Sequence, residues 1–457
     1  LSIVVDMHLP ADHRAQNAAA GIVARLRAAG HQAWFVGGCV RDMLLGREAK
    51  DFDVATSAVP DEVLALFEKT FSVGAHFGVV LVCTDVPGDL GEEVVTEVAT
   101  FRSDGAYTDG RHPDAVQFST TPAEDVQRRD FTINGMMLDP ETNAVLDLVG
   151  GRQDLEARLV RAIGDPVVRF TEDKLRMLRA VRFAARFTFE LDPATASAIR
   201  ALAPAVHQVS RERVREELTR MLTEGHASQA FTLLHSTGLL AQVLPEVVRM
   251  QGVAQPPQYH PEGDVWVHTL LLLQGLPAGC PMTLAWGALL HDVGKPATFR
   301  VAPDRIRFDG HVEAGLVIAA EICQRLRFAN HETEQILALV ANHMRFGDVR
   351  KMKESTLKRF FRLPDFEQHL ALHRLDCLAS HGSLELYDFA RNRFETIPPE
   401  QVKPPLLLNG KHLIAAGYRP GPQFTQMLAL AEDAQLEGTI HTHEEALAIV
   451  EKTWPQR

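Results

Sequence analysis

The chain has 457 residues, of which 59 are acidic and 47 are Lys or Arg, for a formal net charge of -12 at pH 7. That length is too great for one hydrophobic core and implies roughly two to four domains. With 46% hydrophobic and 23% charged residues the chain is globular, and its acidic balance argues against coating nucleic acid through overall charge, while leaving room for a local basic surface. No apolar run is long enough to cross a bilayer, and Leu1 to Pro10 lacks the basic stretch and cleavage site of a signal peptide. The expectation is a cytoplasmic protein with neither membrane nor DNA as a partner. Its five cysteines (Cys39, Cys83, Cys280, Cys323 and Cys377) have no CxxC spacing. That excludes a zinc ribbon and a disulfide framework, and Cys39 reads as a small buried thiol.

Residues 1–150 read as mixed α/β. A helical stretch, Asn17 to Ala29, precedes a short strand, Ala33 to Val36. A glycine turn, a helical segment Val40 to Leu45 and an acidic strand around Asp51 to Ala55 follow. Gly78 to Thr84, Glu93 to Phe101, Val116 to Ser119 and Phe131 to Leu138 read as further strands from their valines and alternation. From about 151 helical patterns dominate: Glu172 to Phe187, Glu212 to Thr223, Ala227 to Leu234, Thr283 to His291, Glu313 to Leu326 and Thr333 to Asn342. Proline- and glycine-rich breaks at Gln255 to Gly263 and Ile397 to Leu406 divide the rest. The organisation expected is a 1–150 head, a 151–250 helical neck, a 255–395 domain and a 400–457 helical tail, an α+β chain overall.

Gly37-Gly38 with Arg41 follows a strand and opens a helix. Two glycines let the backbone approach a bound group, and free amides at a helix start suit a triphosphate. Alone this turn is no more than an ordinary strand-to-helix connection. Asp51 and Asp53 come ten residues later. At i and i+2 of a strand they present two carboxylates on one side, which repel unless a cation neutralises them. Magnesium takes such hard oxygen ligands and shares them with phosphates. Arg128-Arg129-Asp130-Phe131-Thr132-Ile133-Asn134 offers bidentate phosphate contacts from arginine, with Asp130 and Asn134 to bond a ribose or hold the arginines. On the helix from Glu172, the residues Asp173, Arg176, Arg179 and Arg182 are expected to form a stripe at i+3 steps. A salt-bridged helix face would explain that stripe by itself. Four motifs in this order favour a nucleotide site.

As a set these motifs resemble the class II tRNA nucleotidyltransferases and bacterial poly(A) polymerases. GGCVRDMLLG with KDFDVAT is similar to their first motif and RRDFTIN to their nucleotide-binding motif. Asp147 to Arg161 resembles the hinge segment, EDKLRMLRAVRFAAR the base-reading helix, and Arg213 to Leu222 the last neck motif. The resemblance implies a polymerase beta-like head with a mixed sheet, followed by all-α neck, metal-binding and tail domains. It implies that Asp51 and Asp53 hold catalytic magnesium, that Gly37, Gly38 and Arg41 contact the triphosphate, and that Arg129, Asp130 and Asn134 hold phosphate and sugar. Asp173 and Arg176 would pair with the base edge, and Arg179 and Arg182 would also contact nucleotide. A carboxylate accepts from an exocyclic amine and an arginine donates to the acceptor beside it, so one adjustable pair accepts cytosine and adenine. Two positions depart from the family: Gly135, where alanine is usual, and Lys174, where proline is frequent. A mobile loop is expected at Thr100 to Pro113; its full length, by the same resemblance, favours CCA or A-only addition over CC addition.

The second half carries His268, the adjacent His291-Asp292, His311, His343 and Asp376, in or beside helical stretches. One buried histidine is more often a satisfied core residue than a ligand. An adjacent His-Asp flanked by further histidines and an aspartate suits a divalent metal. The pattern resembles the HD phosphohydrolases: His268, His291, Asp292 and Asp376 match the ligand set, His311 and His343 extend it to two metals, and Lys295 contacts phosphate. The metal expected there is manganese or nickel, and the reaction a phosphatase or 2′,3′-cyclic phosphodiesterase step. Arg350 to Arg362 is the densest basic segment; tRNA contact and a solvated helix face explain it about equally. The leading expectation is CCA addition to tRNA from CTP and ATP. The rivals are A-only addition or poly(A) synthesis, an HD nucleotide phosphohydrolase with a degenerate transferase, and a pure RNA-binding module, which the two complete ligand sets disfavour.

Overall fold

The computed structural model describes residues 13–72, 78–85, 93–105, 116–258 and 260–455. It forms two compact units, the first made of Leu1–Met221 and Gln229–Val243, the second of Leu222–Ser228 and Leu244–Arg457.

The first unit opens with α1 (Arg14–Ala28), which buries Ala19, Ile22, Val23 and Leu26, the i, i+3, i+4, i+7 stripe of an amphipathic helix. Then come β1 (Ala33–Val36), α2 (Gly38–Leu44), β2 (Asp53–Thr56), α3 (Pro60–Leu66), β3 (Thr70–Phe71), β4 (Val79–Asp85), β5 (Glu93–Thr100), β6 (Arg102–Asp104), β7 (Val116–Phe118), α4 (Pro122–Gln127), β8 (Met137–Leu138) and β9 (Val145–Leu146). Seven of these strands make one mixed sheet in the order β3-β4-β5-β2-β1-β8-β9. β1 runs antiparallel to β2 with Val36 opposite Asp53, whereas β2 runs parallel to β5 with Val54 beside Val98. The strands expected at 33–36, 78–84, 93–101 and 116–119 are thus present. Residues 106–113 of the expected mobile loop lie outside the described residues; what is described is the β6–β7 pair that flanks them.

The strand expected at Phe131 to Leu138 is different. Phe131 makes an isolated bridge to Ala162, Thr132–Asn134 is a buried 3-10 turn, and only Met137–Leu138 joins the sheet. Asp130 causes the change: its Oδ1 accepts from the Phe131 amide at 2.8 Å and from Asn134 Nδ2 at 3.1 Å, side-chain bonds that compete with a β ladder.

Helices continue with α5 (Gly151–Glu156), β10 (Leu159–Val160), α6 (Pro166–Glu172), α7 (Leu175–Phe187), β11 (Glu190–Leu191), α8 (Pro193–Leu202), α9 (Arg211–Thr223), α10 (Ala227–Ser236) and α11 (Leu239–Val243). The single helix expected from Glu172 to Phe187 is two. Asp173 has extended backbone (φ -138°, ψ 107°) and its carboxylate accepts from the Leu175 amide at 3.0 Å. It caps α7 and ends α6, so it stands at the mouth of the helix and not on its face.

In the second unit α12 (Pro245–Val248) leads to α13 (Val265–Gln274), α14 (Met282–Leu290), α15 (Lys295–Thr298), a hairpin of β12 (Arg300–Val301) and β13 (Ile306–Arg307), α16 (His311–Arg325) and α17 (Asn330–Asn342). α14 is buried from Leu284 to Leu290, the signature of a central helix; Trp286 within it is fully buried. After it α18 (Glu354–Phe361), α19 (Phe366–Ala379), α20 (Glu385–Thr396) and α21 (Pro399–Val402) share a core of Phe346, Phe360, Phe361 and Phe366. The tail, α22 (Gly410–Ala415), α23 (Gln423–Leu436) and α24 (His443–Thr453), has its own cluster around Leu413, Met427 and Val450.

Candidate active site and metal centre

The β1–β2 register sets the first site. Asp53 faces the end of β1, where Gly37 turns the chain with φ +77°. A Cβ at Gly37 would lie 3.8 Å from Asp53 Oδ2 and 3.7 Å from Arg129 Nη1, so glycine keeps backbone and carboxylate within reach of one ligand. Asp53 is half-buried; Asp51 is exposed and lies two residues ahead of β2. Phe52 between them packs edge-on against Phe35 at 5.3 Å. The parallel β2–β5 register brings in an acid that sequence reasoning missed: Glu97 stands beside Asp53 as Val98 stands beside Val54. Burial, then Glu97 and Asp51, push the Asp53 carboxyl up to about 6, with Arg129 opposing. Such a crowd of carboxylate oxygens fits a hard divalent cation.

Around Asp53 a cavity of about 510 Å³ is lined by Gly37, Gly38, Asp130, Asn134, Asp173 and nine arginines. Most of these arginines are held by protein partners. Arg41 donates to Asn134 Oδ1 at 2.6 Å and to Asp42 at 2.9 and 3.0 Å, and its guanidinium lies 4.6 Å from the Phe187 ring centre. Arg128 and Arg129 both grip the fully buried Asp125, at 2.6 and 2.8 Å; Asp125 is a second residue the motifs did not single out. Arg179 donates to Asp130 Oδ2 at 2.7 and 2.9 Å. Arg182 is 3% exposed and pairs with Glu217 at 2.7 Å, which commits its charge to the wall. Arg176 donates to Glu172 at 2.6 Å and to the Arg128 carbonyl at 3.0 Å. Asp173 accepts from Arg213 at 2.7 Å. Arg186, Arg213 and Arg220 also line the cavity; the sequence motifs contain all three but give none of them a role. Cys39 is bystander chemistry: its Sγ donates to the Val36 carbonyl at 3.2 Å and burial pushes its thiol up to about 12.

The Gly135 departure has a packing reason. A Cβ there would meet Ile163 Cδ1 and Val149 Cγ2 at 2.9 Å, so these two side chains fill the space an alanine would need.

The second unit gathers all six expected ligands. His268 Nε2 is 3.2 Å from Asp376 Oδ1 and 3.4 Å from His291 Nε2. Asp292 lies in the middle: Oδ2 is 3.2 Å from His291 Nε2, while Oδ1 is 3.9 Å from His311 Nε2 and 3.8 Å from His343 Nε2. The two last rings are 3.4 Å apart at Nε2. Outer contacts aim every ring. The Nδ1 atoms of His291, His311 and His343 sit 2.9, 2.9 and 2.7 Å from backbone carbonyls three residues earlier, and His268 Nδ1 is 2.8 Å from Glu262. An Nδ1–H donated outward leaves the Nε2 lone pair facing inward. Glu262, which also holds His260 at 2.9 Å, was not found from sequence.

Close packing makes this possible: a Cβ on Gly294 would fall 2.1 Å from the His311 carbonyl and 2.9 Å from Gly315 Cα, so only glycine lets α16 bring His311 beside Asp292. Burial opposes ionisation of Asp292, yet His291 and Lys295 hold its carboxyl well below the usual range. Lone pairs of four imidazoles facing one another and two ionised carboxylates are a donor set that fits divalent transition metals.

The basic segment divides. Arg359 pairs with Glu432 at 2.9 Å and with Asp433, Arg362 pairs with Glu432 at 2.5 Å, and Lys358 donates to the Leu436 carbonyl at 2.7 Å. These cations clasp α18 to α23, which leaves Arg350, Lys351 and Lys353 as its exposed part.

In the first unit a half-buried carboxylate beside a glycine turn in a mixed sheet faces an arginine-lined cavity, an arrangement suited to a nucleotide; in the second unit the cluster of histidines and aspartates is suited to a divalent metal. Residues 33–161 match the family model described as "Poly A polymerase head domain", 188–250 match "Probable RNA and SrmB- binding site of polymerase A", and 271–368 match "HD domain". The first half of the chain is thus similar to the poly A polymerase head domain, and a stretch of the second half to the HD domain. His268 and Asp376 lie just outside the matched HD stretch, and the fold brings them to it. Among curated relatives, the CCA-adding enzyme of Geobacillus thermodenitrificans is 45% identical over 221 residues, covering 48% of this chain and 53% of the relative. That of Bacillus pumilus is 41% identical over 267 residues, covering 58% and 60%. The chain thus spans little more than half the length of these relatives. The solved CCA-adding enzyme of Bacillus stearothermophilus in complex with CTP superimposes with a TM-score of 0.73 at 27% identity, covering 98% of both chains. The Thermotoga maritima CCA-adding enzyme complexed with tRNA shares the fold, with a TM-score of 0.57 at 17% identity over 96% of this chain and 95% of that one. Among the described residues no helix is long and apolar enough to cross a membrane.

Proposed function

We propose that the first unit adds CMP and AMP from CTP and ATP to the 3′ end of tRNA, without a nucleic-acid template. The observation that carries this reading is Asp173 and Arg176 at the rim of the cavity that holds Asp53. A carboxylate and a guanidinium there match the amine-and-acceptor edge shared by cytosine and adenine. In the transfer, the RNA 3′-hydroxyl oxygen bonds to the α-phosphorus, the bond from that phosphorus to its bridging oxygen breaks, pyrophosphate leaves, and the hydroxyl proton is released. Asp53, Asp51 and Glu97 would hold magnesium, which when bound supplies charge neutralisation for the phosphates. Gly37, Gly38, Arg41 and Arg129 orient the triphosphate, and Asp130 and Asn134 the sugar. Arg179 and Arg182 shape the same cavity. The relatives named CCA-adding enzyme favour this over A-only addition or poly(A) synthesis. The test is extension of tRNA ending at the discriminator base, at C and at CC, with each nucleotide supplied separately. CCA addition requires CTP on the first two and ATP on the third; runs of adenylate on all three would show a poly(A) polymerase instead.

A second activity is favoured by Asp292 standing between two histidine pairs. His268, His291, Asp292 and Asp376, with His311 and His343, would hold manganese or nickel, which when bound supplies Lewis-acid polarisation of a phosphate. The reading is phosphatase or 2′,3′-cyclic phosphodiesterase action on RNA ends or nucleotides. Phosphate or ring-opened product, formed with manganese or nickel, is the measurement. Equal rates from wild type and Asp292→Ala would rule it out.

A further inference from the structure

One wall of the metal-centre cavity belongs to neither the ligand set nor the helical core. Between α15 and α16 the chain leaves the bundle as a hairpin, Arg300 opposite Arg307 and Val301 opposite Ile306. Two residues per strand bury too little to make a packing element; Val301 is 71% exposed and Phe299 41%. The hairpin is braced by Arg300–Asp309 at 2.9 Å, Arg307–Asp304 at 2.8 Å and the Phe299–Phe308 ring pair at 6.0 Å. Its inner side faces chemistry. Arg305, Ile306, Arg307 and Phe308 line the same cavity of about 520 Å³ as Asp292 and His311.

The cations of this cavity divide into two groups. Lys295 is buried and committed, with Nζ 2.7 Å from Asp292 Oδ2 and 2.7 Å from Gln255 Oε1. Arg305 and Arg307 are half and one-third exposed, and Arg305 meets Asp304 only at 4.0 Å. A substrate whose single phosphate sat at the metal ligands would add no anion to Arg305, whose Asp304 partner stands at 4.0 Å, or to Arg307, which shares that carboxylate at 2.8 Å. Guanidinium donors suit a phosphodiester, and the Phe308 ring with Ile306 beside it offers a flat apolar face of the kind on which bases stack. A cavity of this volume has room for a nucleotide with its neighbouring phosphate.

We propose that the hairpin selects the substrate of the metal centre, and that this substrate is an RNA end bearing a terminal phosphate. The terminal phosphate lies at the metal ligands, the preceding phosphodiester at Arg305 and Arg307, and the base on Phe308. In the hydrolysis a water oxygen bonds to the terminal phosphorus, the ester P–O bond breaks, and the departing sugar oxygen takes up a proton from the water. This proposal rests on the phosphohydrolase reading above.

The experiment uses the full chain with manganese and compares a 3′-phosphorylated trinucleotide with 4-nitrophenyl phosphate. The trinucleotide is expected to be preferred at least tenfold in kcat/KM. In Arg305→Ala/Arg307→Ala that preference falls by roughly tenfold through KM, and Arg305→Lys/Arg307→Lys restores part of it. A preference that is absent in wild type, or unchanged in the alanine pair, overturns the proposal. A second readout needs no turnover: the metal-free protein is cross-linked to a 3′-phosphorylated RNA carrying 5-iodouridine and digested for peptide mapping. Cross-links are expected within residues 299–309 and are lost in Phe308→Ala. Cross-links confined to other segments of the second unit overturn the hairpin's role. Should wild type hydrolyse neither ester, the phosphohydrolase reading fails, and the cross-link map still decides whether the hairpin holds RNA.

Discussion

The two proposed phosphate sites are built from opposite materials. In the first, three carboxylates crowd the start of β2, an inner strand of the sheet, and nine arginines line the cavity beside them. Its donors are oxygens, its cations are permanent, and several are pinned by buried acids such as Asp125 and Glu217. In the second, four imidazoles converge on a central carboxylate deep among helices, and among the described residues the guanidiniums lining the cavity are those of an exposed hairpin. The first arrangement is suited to gripping a highly charged triphosphate while a hard cation neutralises it. The second concentrates its charge at one point and leaves the rest of a substrate to the hairpin that lines its cavity. The comparison teaches that a phosphate-handling site can put specificity into its walls or into its metal ligands, and that each choice leaves a different residue set exposed to mutation.

The largest effects should separate the units cleanly. Asp53→Ala is expected to lower nucleotide incorporation by at least about a thousandfold, since it removes the ligand that faces Gly37, while leaving metal-dependent phosphate release near the wild-type rate. Asp292→Ala should do the reverse. Both rates, measured on the same preparations with circular dichroism to verify folding, check the pair. Loss of both activities in either variant would break the division into two chemistries.

The next effect concerns base choice. Asp173 is held by Arg213 and Arg176 by Glu172, so each of the two groups proposed to read the base has a protein partner in this structure. Asp173→Ala should relax discrimination between CTP, ATP and UTP by about tenfold to a hundredfold, with a smaller change in triphosphate affinity. Arg213→Ala, which frees the same carboxylate, should shift discrimination by less, about threefold to tenfold. Misincorporation ratios measured with single nucleotides decide this; unchanged ratios in Asp173→Ala would remove the template role.

The head's central pieces were legible in sequence because they are local. A Gly-Gly turn, an arginine one helical turn on and an i, i+2 acid pair require no knowledge of distant chain. Glu97 was not legible: it lies 44 residues from Asp53 in a valine-rich strand, and only the parallel register brings them together. Asp173 was placed on the wrong side of a helix start because a periodic stripe outweighed its capping chemistry, which competes with helical bonding. The six candidate metal ligands stood out by residue type, whereas Glu262 acts through His268 and carries no signal of its own. Arg359 and Arg362 read from sequence equally as RNA contacts or as a solvated helix face, and the carboxylates that hold them come from the tail. Charge in a sequence shows that a partner exists, not which one.

Acid should act on the head through a group outside its carboxylate cluster. Burial opposes ionisation of Asp130, but Arg179 and the Asn134 amide hold its carboxyl down at about 2. A depressed carboxyl contributes stability that is complete above the unfolded value near 4 and is lost as pH falls through about 2. The contribution is on the order of 2 kcal/mol. Denaturant unfolding of wild type and Asp130→Asn at pH 7 and pH 3 checks this. The difference between them should narrow at the lower pH, and a constant difference would show that Arg179 gains nothing from the charge.

The smallest effect tests the break between α6 and α7, which sets Asp173 apart from the arginines. Lys174 has φ -64° and ψ -21°, the torsion that a proline ring imposes. Asp173 before it is extended, the conformation that a following proline favours. The Lys174 amide makes no hydrogen bond among the described residues, and its Nζ bond to the Thr171 carbonyl is solvent-exposed. Lys174→Pro therefore removes little from the folded state and narrows the unfolded one. It should raise stability by about 0.4–1 kcal/mol, read as a higher denaturant midpoint for the first unit, with base discrimination unchanged. A fall in stability would mean that the break is not fixed in the conformation seen here, and that the separation of Asp173 from the arginine face depends on what the cavity holds.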